Sequence, residues 1–377
     1  MPDPDAQGCF YVGLMSGTSM DGIDAVLIEF REQRCEIRAH HAARYPNELR
    51  TALHAAIRAP EQCDVDAIGQ LDCWIGECFR DAVLELLTQS QTSRDQIIAI
   101  GSHGQTLRHQ PRAKRPYTLQ IGDPNIIAAG TGITTVADFR RRDLAVGGHG
   151  APLAPAFHHW LFASDRIDRV VLNIGGIANI TVLSSDGSEP LGFDTGPGNT
   201  LMDAWIRQHR NIGFDDNGDW ATSGQVSSGL LDNMLQDAYF AEAPPKSTGL
   251  EYFNMDWLRC KLAAFGELAP ADVQATLSAF TAKSVAAAIR EHAPASRQLL
   301  VCGGGVHNGH LLNQLAAELS ATEVTSTEAF GLHPDWVEAA AFAWLAKRCL
   351  ERMPGNLPTV TGATREAILG GIYLSSG

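Results

Sequence analysis

The sequence predicts an α/β protein built from two lobes. At 377 residues the chain is too long for one ordinary hydrophobic core, so two domains are expected. Short apolar runs typical of buried strands alternate with longer runs of helical periodicity along the chain. Three predicted strands run into glycine-rich turns, at residues 16–22, 175–176 and 303–305. One such turn is common, but three in this arrangement indicate a nucleotide held from two sides.

The first lobe is predicted to open with a hairpin. Strand Phe10–Met15 enters the first glycine turn (residues 16–22), and the Ile-, Val- and Leu-rich segment Ile23–Phe30 returns as a strand. Apolar residues at helical spacing predict helices at 47–59 and 64–90. The other elements predicted for this lobe are strands at 97–101, 118–121 and 133–137 and a helix from Asn125 to Gly130.

We predict the lobe boundary at residue 140, because Gly147–Gly150 loosens the chain there. The first lobe is then 1–140, the second is 141–354, and the tail 355–377 packs back on the first. Strand Arg169–Ile174, the second glycine turn (175–176) and strand Asn179–Leu183 repeat the opening hairpin, which suggests internal duplication. The other predicted elements are strand 298–301 and helices at 155–163, 198–210, 226–240, 272–292, 310–319 and 335–348.

Composition and charge exclude several functions. The net charge of −14 argues against a nucleic-acid or anionic-membrane partner, since a polyphosphate surface would repel the chain. The acidic start MPDPDAQG is not a secretory signal, and no apolar run approaches the roughly 20 residues of a membrane span. The eight cysteines form no CxxC pair, which predicts reduced thiols in a cytoplasmic protein and no structural metal.

The first glycine turn and the residues after it have the chemistry of a phosphate-binding loop. Glycine lets the main chain approach phosphate oxygens, and Thr18 and Ser19 can donate hydroxyl hydrogen bonds. Asp21 and Asp24 supply carboxylates that can hold Mg²⁺, directly or through water. The turn is not a Walker A loop, because no Gly-Lys-Ser/Thr ends it. An ordinary hairpin turn is the alternative reading.

Asp194 lies in the segment Gly192–Asn199, between glycines and just after a predicted strand pair. A carboxylate on a stiff, exposed turn suits contact with a substrate. The alternative is an Asx-turn that caps the helix beginning at Asn199. The third glycine turn (303–305) suits close approach to a phosphate or a flat ring, although a tight strand-to-helix crossover would look the same.

Four further positions are candidates for the substrate site. His103 and Gln105 follow a predicted strand, where α/β proteins bind ligands, although a lone histidine there is more often structural. The cluster Arg140–Arg142 can anchor a substrate carboxylate or form a solvated face. Glu338 lies on a helix whose other face is apolar, and a solvent-exposed position is its alternative.

Together these motifs resemble the anhydro-N-acetylmuramic acid kinase family, over about residues 11–371. The segments that carry the resemblance are 12–24 (VGLMSGTSMDGID), 102–106 (SHGQT), 122–124 (GDP), 137–141 (ADFRR), 173–179 (NIGGIAN), 192–199 (GFDTGPGN) and 302–305 (CGGG). The family implies the two-lobed fold of actin, Hsp70 and hexokinase-like sugar kinases, with ATP in the cleft between lobes. It also implies that ATP and water convert 1,6-anhydro-N-acetylmuramic acid to N-acetylmuramic acid 6-phosphate and ADP, in bacterial cell-wall recycling.

The resemblance also implies roles for particular residues. Asp194 matches the catalytic aspartate, Arg142 and Glu338 line the sugar site with Arg142 toward the lactyl carboxylate, and a homodimer is expected. His103 and Gln105 are expected at the substrate, and Asp21 and Asp24 at Mg²⁺. The residues expected to bind ATP are Ser16, Gly17, Thr18, Ser19, Met20, Asp21, Gly22, Ile23, Asp24, Gly175, Gly176, Gly303, Gly304 and Gly305.

Two other functions compete with this hypothesis. A plain hexose or amino-sugar kinase would use Asp194 to deprotonate a free hydroxyl, without opening a ring. An ATP-dependent switch of the actin or Hsp70 kind would hydrolyse ATP without any sugar, but it would need a long peptide-binding appendage that the sequence does not show.

Overall fold

The computed structural model describes residues 9–17, 20–60 and 63–375. The chain divides into two compact units, of which the first comprises Met1–Leu161 and Trp336–Gly377 and the second Phe162–Asp335. Thr18 and Ser19, both predicted to bind nucleotide, lie outside the described residues. Within the described ranges, no helix combines the length and the apolar character needed to cross a membrane.

The first unit contains a six-stranded sheet in the order β13-β7-β4-β1-β2-β3. Strands β1, β2 and β3 form an antiparallel meander, β4 is parallel to β1, and β7 is parallel to β4. The C-terminal strand β13 pairs antiparallel with β7. A separate hairpin joins β5 and β6. The strand bounds are β1 Phe10–Met15, β2 Gly22–Arg31, β3 Arg34–Arg44, β4 Ile97–Ser102, β5 Gln105–Gln110, β6 Tyr117–Ile121, β7 Thr135–Ala137 and β13 Gly371–Tyr373.

Helix α12 lies directly on this sheet, and two glycines make the close approach possible. A Cβ at Gly13 of β1 would lie 1.9 Å from the Ala339 carbonyl oxygen, and one at Gly101 of β4 would lie 2.0 Å from that of Phe342. Any side chain at these positions would push the helix away from the sheet. The helices of this unit are α1 Asn47–Arg58, α2 Val65–Ser90, α3 Pro124–Thr131, α4 Phe139–Ala145, α5 Ala154–Phe162, α12 Val337–Leu350 and α13 Pro358–Thr361.

The second unit contains a five-stranded sheet in the order β10-β9-β8-β11-β12. The core of this unit includes the buried faces of β8 and β11 and the long helix α10. The strands are β8 Arg169–Ile174, β9 Ile177–Leu183, β10 Leu191–Pro197, β11 Gln298–Cys302 and β12 Glu323–Ser326. The helices are α6 Thr200–Arg210, α7 Asp219–Thr222, α8 Ser228–Leu235, α9 Met255–Leu262, α10 Pro270–His292 and α11 Gly309–Glu318.

The two units repeat one strand pattern, as the sequence suggested. In each, an antiparallel meander of three strands is followed by two strands added parallel to the first strand of the meander. The order β3-β2-β1-β4-β7 of the first unit therefore corresponds to β10-β9-β8-β11-β12 of the second. The first glycine turn joins β1 to β2, and the second joins β8 to β9, so the two turns occupy equivalent places.

The structure corrects the boundaries predicted at residues 140 and 354. The units divide after Leu161 and again before Trp336, because α4 packs with β6 of the hairpin and α12 packs on the first sheet. The glycines at 147–150 form a tight turn bonded within the first unit, where Gly148 N–H donates to the Asp143 carbonyl.

Two local predictions in the second unit are also wrong. The predicted helix 226–240 ends at Leu235, because the Asp237 carboxylate accepts a hydrogen bond from Tyr239 N–H and starts a separate 3-10 turn. The predicted exposed turn at Asp194 is instead strand β10, paired with β9 through Asn179. Gly192 and Gly196 sit inside that strand, where glycine had indicated a loop.

Candidate functional site

The first glycine turn is braced from beneath by side chains of the first unit. The Ser16 Oγ lies 2.7 Å from both the Gly22 carbonyl and the Gln105 Oε1, and Gln105 Nε2 donates to the Gly17 carbonyl at 3.2 Å. Ser16 and Gln105 are both buried, so these side chains shape the turn. Met20 is buried with a left-handed backbone, and a Cβ at Gly17 would meet no atom within 4 Å among the described residues other than its chain neighbours. The described residues of the turn are therefore held on its inner side, and Gly17 is open.

The two carboxylates predicted to hold Mg²⁺ differ in their surroundings. Asp21 is 66% exposed, and its carboxylate accepts from Arg50 Nη2 at 2.9 Å. Asp24 is half-buried on β2, opposite Met15 of β1. Among the described residues, no three His, Cys, Asp or Glu side chains are grouped as metal ligands. Magnesium in phosphoryl-transfer sites needs one or two carboxylates and takes its other ligands from phosphates and water, so this donor set fits it.

His103 and Arg140 form a buried pair in the first unit. His103 Nδ1 lies 2.9 Å from the Gly104 carbonyl, so Nδ1 carries the hydrogen and Nε2 is the acceptor. Arg140 donates to that Nε2 through Nε at 3.0 Å, with Nη2 at 2.9 Å. Burial and the Arg140 charge hold the pKa of His103 well below its usual value. Both ring nitrogens are occupied, so the structural reading of His103 is favoured over direct substrate contact.

Glu338 and Arg142 are placed differently by the structure. Glu338 is half-buried at the start of α12, and burial raises its pKa, although Arg140 acts in the opposite direction. The solvent-exposed alternative for Glu338 is therefore wrong. Arg142 is exposed on α4, and the cation near Glu338 is Arg140. The structure thus groups Arg140, His103 and Glu338, and leaves Arg142 open to solvent.

The third glycine turn packs against the end of strand β8 in the second unit, directly before the second glycine turn. A Cβ at Gly303 would lie 2.2 Å from the Asn173 Oδ1, and one at Gly305 would lie 2.3 Å from the Ile174 Cγ2. Gly303 also has a φ of +78°, which favours glycine. Gly304 is exposed, and a Cβ there would meet nothing within 4 Å. Both turns follow the carboxyl ends of the parallel strands β8 and β11, which is where α/β proteins bind ligands, and the third turn is open at Gly304.

Asp194 is held by the segment that follows α8. Its N–H donates to the Lys246 carbonyl at 3.2 Å, and its carbonyl accepts from the Tyr239 hydroxyl at 2.6 Å. Its Oδ2 accepts from the Thr248 N–H at 3.0 Å. Its carboxylate therefore caps no helix, and the cap residue of α6, Asn199, makes no side-chain capping bond either. The Asx-turn alternative is wrong.

The environment of Asp194 tunes it as a base. Burial raises the pKa of Asp194 to about 7, and the nearby Glu251 charge adds to the rise, while the Thr248 N–H lowers it. A carboxylate with a pKa near the ambient pH accepts a proton more strongly than an ordinary one, and about half of the molecules still carry it in the ionised form. Asp194 is thus a half-buried carboxylate suited to general-base chemistry.

Comparison with known proteins supplies the family. The family described as anhydro-N-acetylmuramic acid kinase matches residues 9–375 of this chain. A Coxiella burnetii protein of that name is 52% identical over 364 residues, which cover 96% of this chain and 97% of the relative. A Shewanella oneidensis protein of the same name is 50% identical over 364 residues, covering 97% and 98%.

This chain belongs to the anhydro-N-acetylmuramic acid kinase family. It is therefore a kinase enzyme, as the motifs predicted. The solved structures similar to it include the activator of the 2-hydroxyisocaproyl-CoA dehydratase from Clostridium difficile with bound ADPNP, with a TM-score of 0.46, 11% identity and coverage of 91% of this chain and 98% of that one. They also include the ROK hexokinase from Thermus thermophilus, with a TM-score of 0.36, 14% identity and coverage of 90% and 99%.

The two units, each with a mixed sheet and helices in the same strand order, confirm the predicted two-lobed α/β class.

The sequence did not identify several residues that contact Asp194, and it did not single out Arg140 as the partner of His103. Tyr239, Lys246 and Thr248 lie in segments read as the end of a helix and a loop, and no local signal connected them with Asp194. Arg140 was named only as part of a basic cluster. One signal was available, because Arg140 and Asp143 are three residues apart and share a helix face, whereas Arg141 and Arg142 point elsewhere.

Proposed function

We propose that this chain is an ATP-dependent kinase that hydrolytically opens 1,6-anhydro-N-acetylmuramic acid and phosphorylates O6. The products are N-acetylmuramic acid 6-phosphate and ADP. The observation that carries the proposal is Asp194, a half-buried carboxylate whose pKa is raised to about 7, in a chain of this family. The relatives named above supply the substrate by their names.

The structure of the anhydro-sugar dictates the order of bond changes. O6 is bonded to the anomeric carbon, so it has no proton and cannot act as a free alcohol. A water oxygen bonds to C1, Asp194 accepts the proton from that water, and the C1–O6 electron pair leaves with O6. The O6 alkoxide then bonds to the γ-phosphorus of ATP, and ADP departs with the electrons of the broken P–O bond.

The first and third glycine turns are proposed to bind the phosphates of ATP, and Asp21 and Asp24 are proposed to hold Mg²⁺. The open backbone at Gly17 and at Gly304 is available to phosphate oxygens, because no atom of the described residues beyond the chain neighbours lies within 4 Å of a Cβ built on either glycine. Asp24, with Asp21 at the edge of the turn, would hold Mg²⁺ with the phosphates. When bound, this ion would neutralise charge on the transferring phosphoryl group.

The sugar is proposed to contact the first unit around Glu338 and Arg140. Arg140 is a cation held close to Glu338, and burial raises the pKa of that carboxyl group. Arg142 stays the predicted partner of the lactyl carboxylate, and its exposed side chain is accessible to a ligand. The family resemblance further supports a cytoplasmic homodimer that acts in peptidoglycan recycling.

Gly304→Val tests the nucleotide site. We expect the KM for ATP to rise about tenfold or more, because a side chain would occupy space that the phosphates need. Gly213→Val is the matched control, since Gly213 is also exposed, lacks a positive φ and has no atom within 4 Å of its Cβ position. Steady-state kinetics with varied ATP measure both. Equal KM values for the two variants would exclude the third glycine turn from the nucleotide site.

Isotope transfer from labelled water tests the ring opening. In ¹⁸O-water, we expect the first turnover to place one label on C1 of the sugar phosphate, because the attacking water supplies that oxygen. Mass spectrometry reads the product within seconds, and preformed product incubated for the same time corrects for exchange through the free aldehyde. A plain sugar kinase would leave C1 unlabelled, and that outcome would remove the hydrolytic mechanism.

A simpler measurement distinguishes the proposed sugar kinase from an ATP-dependent switch that needs no sugar. ADP release is followed with the anhydro-sugar, with its ring-opened counterpart and with neither. The proposal requires release that depends on the anhydro-sugar. ATP hydrolysis at the same rate in all three samples would favour the switch.

A further inference from the structure

Asp143 is a fully buried charge that the mechanism above does not use. It lies on α4, one turn after Arg140, with 0% of its surface exposed. Its Oδ2 accepts from the Gly150 N–H at 2.7 Å, and its Oδ1 accepts from Asn356 Nδ2 at 2.7 Å and Thr361 Oγ1 at 2.8 Å. Burying a carboxylate costs free energy unless hydrogen bonds compensate for the lost water, and the three donors to Asp143 do so. The surrounding structure is therefore built to hold a carboxylate at this position.

The Gly147–Gly150 turn is shaped around this carboxylate. A Cβ at Gly148 would lie 2.2 Å from the Asp143 Oδ2, so only glycine fits there. Gly150 has a φ of +72°, again favouring glycine. His149 N–H donates to the Thr361 carbonyl at 2.7 Å, which ties the turn to the C-terminal segment. The turn and that segment are therefore fastened to α4 through one side chain.

The same turn holds Arg140. The Gly150 carbonyl accepts from Arg140 Nη1 at 2.9 Å, while the opposite edge of the guanidinium bonds to His103. Gly150 thus connects Asp143 with Arg140. Its N–H donates to the Asp143 carboxylate, and its carbonyl accepts from the Arg140 guanidinium. A guanidinium held from both edges has one orientation.

We propose that Asp143 is a positioning residue, which orients the Arg140 guanidinium through Gly150 and offsets its buried charge, so that Arg140 is presented beside Glu338. The importance of this for turnover rests on the proposed function, in which Arg140 and Glu338 contact the sugar. Charge supports the assignment as well as geometry. Burial lowers the pKa of Arg140 to about 10, whereas Glu338 and Asp143 both raise it. His103 is neutral and supplies no charge.

Asp143→Asn tests this role, because it keeps the size of the side chain and removes the charge. We expect kcat/KM for the sugar to fall about 10- to 100-fold, as expected for a misplaced binding group, with the KM for ATP unchanged. The high-pH limb of kcat/KM should move to lower pH, since Arg140 loses a neighbouring anion and gives up its proton more easily. In an Arg140→Met background the same substitution should cost less than about twofold. If the double variant lost kcat/KM by the product of the two single losses, Asp143 would act independently of Arg140. That outcome, or an equal rise in the KM for ATP, would show that Asp143 has only a general structural role.

A second readout needs no substrate. The Arg140 Nε–H resonance of selectively labelled protein should be sharp and slow to exchange in the wild type, and should lose this protection in the Asp143 variant. Asp232→Asn, at an exposed position on α8, is the control and should leave it unchanged. An unaltered Arg140 resonance in the Asp143 variant overturns the proposal. Absence of wild-type kinase activity would instead defeat the proposed function alone.

Should Asp143→Asn fail to fold, Thr361→Val replaces it. This variant removes one hydrogen bond to Asp143 and keeps the charge. We expect a two- to fivefold loss of kcat/KM for the sugar, with a partial loss of Arg140 protection. A folded Thr361 variant without either effect overturns the proposal.

Discussion

Replacing Asp194 with asparagine is expected to lower kcat by about 10²–10⁴-fold, while the KM values for ATP and sugar stay within a few-fold of wild type. Asparagine keeps the shape of the side chain and cannot accept the proton from water. Steady-state and single-turnover assays measure the loss. Asp232→Asn, an exposed change in the same unit, should keep full activity. A rate near that of the wild type in the Asp194 variant would remove this residue from the chemical step.

The free energy of unfolding of the Asp194→Asn variant, compared with that of the wild type, is expected to change with pH in a definite direction. The same measurement shows whether the variant is folded. In the folded protein the pKa of Asp194 is raised from its ordinary 3.8 to about 7, so the folded state holds this proton more tightly than the unfolded state. The stability contributed by the protonated group is therefore complete below about pH 4 and is lost as the pH rises through 7. Asparagine cannot ionise, so the variant should be more resistant to urea than wild type at pH 8 and similar to it at pH 4.

Replacing Arg140 with methionine is expected to lower kcat/KM for the sugar by about 100-fold or more, to a rate that is still measurable. The same change is expected to lower the free energy of unfolding by about 3–5 kcal/mol. The change leaves Asp143 and Glu338 without their shared cation, and it removes the donor to His103. Methionine keeps the apolar length of the side chain, so the loss measures charge and hydrogen bonding. Urea denaturation gives the stability, and activity is measured below the onset of unfolding.

Arg141→Met is the matched control for Arg140→Met. Arg141 is the next residue on the same helix, its side chain is 56% exposed, and its partner Asp138 lies 3.5 Å away at the surface. An exposed pair of this kind contributes about 0–1 kcal/mol, so the variant should stay stable and active. Equal effects of the two changes would contradict the role assigned to Arg140.

The regular elements of the fold were largely predictable because their signals are local. Strand Phe10–Met15 and strand Arg169–Ile174 have the predicted bounds, since each is a mostly apolar segment that ends in a polar or glycine-rich turn. Helix α2 was predicted within a residue, because its apolar periodicity extends over many turns. Strand β3 was missed, since its exposed and half-buried faces alternate with little apolar content.

The candidate site was only partly predictable, since its residues meet through long-range contacts. The sequence identified Asp194 but placed it on an exposed turn, because glycines on both sides hid the strand. It singled out Arg142, whereas the geometry groups Arg140 with His103 and Glu338. Neighbouring arginines are alike in sequence, and helix phase decides which of them is buried.

By itself, the amino-acid sequence determined the α/β class, the duplicated hairpins and the family, because these follow from local patterns of apolar residues, glycines and short motifs. The tertiary structure alone decided where the units divide, which arginine is buried and which groups raise the pKa of Asp194. Such properties depend on burial, on the direction of each side chain and on partners far apart in the chain, as Asp143 and Asn356 are. The free energies that set burial, side-chain direction and pKa arise only when distant segments of the chain are packed together.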